Sequence, residues 1–217
     1  MGRTISVRGT GKLSVKPDLT VVTLNLKALD PDYEKMMASA GDKIEALRTA
    51  LVEVGFDRDA LKTENFNIYA ENESVRDENG IYKSVFVGYA CNHSLRLEFD
   101  FDSARLAAVL GAVASCVADP GLNICFTVKD REAVAAELLR SASANAREKA
   151  QILAEASGVK LGKLLSINYD VAQLNLVAPT NYAADMVCMA KSRSANVAIT
   201  PNDIDVSDSA SFIWELF

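Results

Sequence analysis

The stretch from Asp130 to Ile167 constrains the fold most. It reads DREAVAAELLRSASANAREKAQILAEASGVKLGKLLSI, which spells one long helix, a glycine stop and a strand. Asp130 is placed to cap the first turn by accepting from free backbone N–H groups, and Glu132 lies where the helix dipole favours an anion. Ala135, Leu138, Leu139, Ala142, Ala146, Ala150, Leu153 and Ser157 recur at three- and four-residue steps and form one stripe. Glu137, Arg140, Ser141, Arg147, Glu148, Gln151 and Glu155 take the other side. A stripe made mostly of alanine implies a neighbour packed close to the helix axis, and a sheet face is the natural one. Leu138, Leu139, Ala142, Ala146 and Leu153 are the expected contacts. Gly158 ends the helix, because glycine takes a left-handed cap without steric cost.

The rest of the chain supplies sheet and two shorter helices. Ile5, Val7, Leu13 and Val15 alternate with polar residues across Gly9 and Gly11, so a strand with a kink or bulge at the glycines is expected. Val22, Leu24, Leu26 and Ala28 form a second strand. Asp30-Pro31 opens a helix, with aspartate as the cap and proline at the first helical position. Its stripe is Tyr33, Met37, Ala40, Ile44, Leu47, Leu51 and Val54, and Gly55 closes it. Thr63–Tyr69 is a third strand, and Asn79-Gly80 signals a hairpin into a long fourth strand from Val85 to Phe101. Asp102 caps a second helix with Leu106, Val109, Leu110, Val113 and Val117 inward. Leu122–Val128 is the fifth strand, Leu165–Val171 the sixth, and Ile204–Phe217 the last. The predicted order is β-β-α-β-β-α-β-α-β-β. This is an α+β fold of about seven mostly antiparallel strands and three helices, in a single domain over 1–217 with an irregular loop at about 173–196.

Charge narrows the function. The net charge is −6 and no basic block occurs, so nucleic acid is not an expected partner. No apolar run approaches the ~20 residues of a membrane-crossing helix. The N-terminal MGRTISVRGTG enters a strand pattern at once and has no apolar leader core. The chain as written therefore reads as cytoplasmic, or as periplasmic or cell-surface if a leader precedes it. Cys91, Cys116, Cys125 and Cys188 show no CxxC pair and are expected as free thiols.

Each candidate for chemistry in the chain also has a packing role open to it. Gly9-Thr10-Gly11-Lys12 suggests a phosphate loop, but Ser6 and Leu13 stand where that motif needs glycine and a hydroxyl residue. His93 is the only histidine. It shares a strand face with Cys91, so a Cys–His dyad is conceivable and a packed strand histidine is the expectation. Asp18, Asp30, Asp32, Asp57, Asp59, Asp203, Asp205 and Asp208 read as turns and caps, since the calcium-loop glycine and closing glutamate are missing. Met186, Cys188 and Met189 suggest a soft-metal site, against which a packed apolar loop is preferred. No catalytic residue, metal ligand or cofactor is expected.

ISVRGTGKLSVKPDLTVVTLNLKA, the helix ending in ALVEVGFDRDALKTENFNIYA, GYACNHSLRLEF, and AREKAQILAEASGVKLGKLLSI together resemble the SIMPL domain family. The elements that carry the resemblance are Gly9-x-Gly11 with Val15-x-Pro17-Asp18, Thr63-x-Asn65-Phe66, Gly88-Tyr89, and Ala-x-x-Lys-Ala with Gly158-Val159-x-Leu161-Gly162. The resemblance implies a bacterial protein of unknown biochemical role, similar to periplasmic or surface antigens and to oxidative-stress-linked members. It also implies large homo-oligomers and no established catalytic motif. The expected function is a non-enzymatic, self-assembling binding or scaffold module. A small-molecule or peptide binder with its site near 173–196 is the alternative. Leu174, Leu176, Val177, Tyr182, Met186, Val187 and Met189 have no period that buries them, so they form the candidate oligomer interface.

Overall fold

Three aspartates start the three helices. In a computed structural model that describes residues 2–76, 81–170, 173–180, the backbone of 182–184, and 199–217, the elements run in order as β1 (Arg3–Val15), β2 (Leu19–Asp30), α1 (Tyr33–Glu53), β3 (Leu61–Arg76), β4 (Tyr82–Asp100), α2 (Ser103–Ser115), β5 (Gly121–Thr127), α3 (Arg131–Ala156), β6 (Leu161–Asn168), β7 (Tyr182–Ala184) and β8 (Ile204–Leu216). The α+β order expected from the sequence holds. The three-residue β7 is added within the segment read as irregular. The Asn79-Gly80 turn lies outside the described residues.

Asp102 accepts from the Arg105 N–H at 2.7 Å, and Asp130 from that of Ala133 at 2.8 Å. The cap of α1 is Asp32, not Asp30. Asp32 accepts from the N–H groups of Glu34 and Lys35, while Asp30 accepts from the Asp32 N–H at 2.8 Å and shapes the turn that delivers it. Pro31 therefore precedes the cap. Gly55 and Gly158 take positive φ, as their places after α1 and α3 require.

The chain forms two compact units. One comprises Met1–Asp18, Thr127–Pro179 and Pro201–Phe217; the other comprises Leu19–Phe126 and Thr180–Thr200. The first holds a three-stranded sheet in the order β1-β8-β6, antiparallel throughout. The second holds a five-stranded sheet in the order β3-β4-β2-β5-β7.

In the first unit α3 lies on the sheet, with Val7, Ala146, Ala150, Ala210, Phe212 and Trp214 as its core. Gly9 and Gly11 make no kink or bulge. All 13 residues of β1 pair with β8 in unbroken register. The glycines admit the helix instead. A Cβ on Gly9 would lie 2.0 Å from the Ala142 carbonyl oxygen and 2.6 Å from the Ala146 Cβ, and one on Gly11 would lie 2.1 Å from the Leu138 carbonyl oxygen. The buried line of α3 is Leu138, Ala142, Ala146, Ala150 and Ala154. Leu139 is only partly buried, and Leu153 is 49% exposed, contrary to expectation. Residue 154 holds the contact, and its predecessor lies about 100° away around a helix of 3.6 residues per turn.

In the second unit α1 packs on β2 and β4 and touches α2. Its buried residues are Met36, Ala40, Leu47 and Leu51; Tyr33 and Met37 lie on the exposed side, so Met36 replaces Met37 in the stripe. Beneath them Val22 pairs with Leu97 and Leu24 with Leu95, all four buried. α2 adds Leu106, Val109, Leu110 and Val113, whereas Val117, expected inward, lies past the end of the helix at Ser115 and is 90% exposed.

Gly9→Ala should cost about 1–3 kcal/mol or more, because a new methyl meets helix backbone that cannot yield locally. Gly41→Ala, in α1 with no atom within 4 Å of the added Cβ, should gain about 1 kcal/mol. Urea melts of both variants, read by circular dichroism, check the contrast.

Candidate functional site

Of the predicted interface residues, Leu174, Leu176 and Val177 are described with their side chains. Leu176 is 1% exposed, and its carbonyl accepts from the Thr127 hydroxyl. The Leu174 carbonyl accepts from the Arg131 guanidinium at 3.3 Å. Val177 bridges Thr127 through the main chain and is 40% exposed. Tyr182 belongs to β7, which pairs with Leu122–Ile124 of β5. Met186, Val187 and Met189, with Cys188, lie outside the described residues.

His93 is packed. β4 turns it to the α1 side, where it is 9% exposed, lies 2.9 Å from the Thr63 hydroxyl, and meets the Phe66 ring edge-on at 4.9 Å. Burial lowers its pKa from the ordinary 6.5, and the positive Arg48 lowers it further. Cys91 is 1% exposed, and burial raises its pKa, so the thiol keeps its proton at neutral pH. A neutral imidazole bonded to a threonine and a buried thiol do not make an activated nucleophile. The predicted turn aspartates hold structure. Asp18 accepts from the Lys129 N–H at 2.8 Å, Asp205 from the Ser14 hydroxyl at 2.6 Å, and Asp208 from the Tyr169 hydroxyl at 2.8 Å.

Two surfaces escape the sequence reading. The first is the outer part of the β3–β4 hairpin. Its register runs on to Arg76 opposite Tyr82, and residues 72–76 and 81–86 are exposed on both faces. This ribbon carries Val75, Ile81, Tyr82, Val85 and Phe86, with Tyr82 69% exposed. At its base Tyr89 touches Phe86 and Tyr33 edge-to-face, at 5.3 and 5.5 Å. The alternation that marks β4 as a strand also predicts a covered face throughout, and it does not show that residues 81–86 lie uncovered.

The second is an open groove beside the free edge of β1, lined by Thr10, Lys12, Ser141, Asn145, Glu148 and Lys149. The Thr10 N–H donates to Asn145 Oδ1 at 3.1 Å, and Lys149 Nζ donates to the Arg8 carbonyl at 3.3 Å. Thus Gly9-Thr10-Gly11-Lys12, set aside as a phosphate loop, is a strand edge in contact with a helix flank. Asn145 and Lys149 stand one turn apart on α3, and that spacing was the available signal.

The depressed pKa of His93 fixes a sign. The unfolded chain takes up a proton near pH 6.5 that the folded chain resists. The contribution is complete above that value and is lost as pH falls through the lower folded pKa. Between pH 7 and 5 the protein should lose thermal stability, and His93→Gln should lose less over the same interval. Glu45, whose pKa is lowered by the Arg58 hydrogen bond, acts only below its ordinary 4.5. Melting temperatures across pH 5–7.5 separate the two.

Comparison with known proteins gives the kinship but no chemistry. The chain is 23% identical over 210 residues to the 26 kDa periplasmic immunogenic protein of Brucella melitensis biotype 1, an alignment covering 96% of this chain and 83% of that protein. The corresponding protein of Brucella abortus strain S19 matches with the same identity and coverage. Residues 5–214 match the model of the SIMPL family, described as a protein of unknown function, and the chain belongs to that family.

Proposed function

We propose that this protein is a non-enzymatic binding or scaffold module that assembles with copies of itself. The observation that carries the reading is the β3–β4 ribbon. A two-stranded ribbon exposed on both faces is marginal by itself in water. Val75, Ile81, Tyr82, Val85 and Phe86 nevertheless leave it rich in apolar surface, and soluble proteins seldom leave such surface uncovered. A neighbouring subunit laid against the ribbon would bury those side chains and stiffen the strands together. In this reading the exposed Val177 marks a second contact within 174–189, while Leu176 is buried in its own chain and takes no part. The quiet chemistry of Cys91 and His93 supports a role without catalysis. The names of the Brucella relatives place those proteins in the periplasm, and the same compartment is proposed here.

Light scattering after size exclusion should give a mass several times the 23.4 kDa of one chain. Tyr82→Glu combined with Val85→Glu should shift the protein toward that single-chain mass while its circular dichroism stays unchanged, since both positions are exposed. A parent that runs as a monomer at tens of micromolar refutes self-assembly. A parent that assembles equally well with both glutamates refutes the ribbon as the contact.

A further inference from the structure

The three-stranded sheet has two edge strands, and they differ. β6 pairs with β8 through register shifts around Leu164 and is therefore irregular. β1 is 13 residues long and free of register shifts, with no proline before Pro17. An edge of that kind offers a row of main-chain donors and acceptors to any passing strand. Successive residues point their main-chain groups to opposite sides. The Thr10 N–H goes to Asn145 and the Arg8 carbonyl receives Lys149, so the even-numbered residues face outward. Gly9, between them, turns its groups toward β8.

An antiparallel strand laid on this edge would offer the N–H of the residue opposite Arg8 to the Arg8 carbonyl, and the carbonyl of the residue opposite Thr10 to the Thr10 N–H. Lys149 Nζ and Asn145 Oδ1 supply that same pair from α3. Gly9 and Gly11 let the helix come close enough for these side chains to reach the edge. We propose that the outer edge of β1 is a latent strand-pairing surface for the same edge of a second copy, held shut by Asn145 and Lys149. The sequence suits that occupant. An antiparallel, two-fold pairing centred on Gly9 sets Arg8 against Thr10 of the second copy, Ser6 against its Lys12 and Thr4 against its Ser14. No like charges face each other in that register. The groove beside the edge is open. The latch deepens the self-assembly reading by naming an edge that is withheld from it.

The test compares Asn145→Ala/Lys149→Ala with the parent chain by sedimentation velocity at equal concentrations. The unlatched protein should form particles with about twice the parent's subunit number. Adding Ser6→Pro, which removes an outward donor from the edge, should restore the parent's size. Asn145→Asp, which keeps the acceptor, should sediment like the parent. An unlatched variant with parental circular dichroism and parental sedimentation overturns the proposal. If the double variant does not fold, amide exchange in dilute Asn145→Ala decides. Faster exchange at Thr10 supports the latch, and an unchanged rate overturns it. The parent's own mass tests self-assembly separately, so the two ideas fail independently.

Discussion

The contact between the β1 glycines and the α3 backbone sets the geometry of the first unit. A Cβ at Gly9 or Gly11 would fall about 2 Å from a helix carbonyl oxygen, so the approach exists only because the strand has none there. The helix answers with Ala142 and Ala146, whose side chains are the smallest that still cover the sheet. Such packing gains dispersion over many short contacts and tolerates no added volume. It also fixes α3 in register along β1. Phe212 and Trp214, stacked at 5.5 Å, then fill the wider space beyond the glycines.

Much of this was legible in the chain. The aspartates before α2 and α3, the glycines after α1 and α3, and the alternation of β2 and β4 each report a local physical demand. The miss at Leu153 has a geometric cause. A stripe read by mixing three- and four-residue steps runs parallel to the helix axis and includes Leu153. The buried line from Leu138 to Ala154 advances by four throughout, so it follows a helical ridge inclined to the axis. A helix crossing its sheet obliquely buries Ala154 and exposes Leu153. Nothing local distinguishes the two until the crossing is known. Likewise Gly9 and Gly11 announce a special position in a strand, but a bulge and a close helix leave the same mark in sequence.

The polar features were harder to place. His93 was recognisable as a strand residue, yet its partner Thr63 is 30 positions away and comes from β3. The groove beside β1 joins residues 8–12 to residues 141–149, and only the packing of α3 unites them. Sites assembled across such separations depend on tertiary contacts that periodicity does not encode.

The sheet edges differ in what they would offer to another strand. Lys62, Glu64, Glu71 and Glu73 put charge along edge strand β3, a common device against indiscriminate pairing. β6 is broken by register shifts. β1 carries charge at Arg3, Arg8 and Lys12 but keeps an unbroken register, and it has side chains of α3 in place of a partner strand. The ribbon differs from all three, because what it exposes is apolar side-chain surface and not bare backbone alone. Side-chain surface demands a complementary shape, whereas bare backbone accepts almost any strand. Under the proposed self-assembly, blunted edges beside a shaped apolar ribbon would favour specific association over indiscriminate pairing.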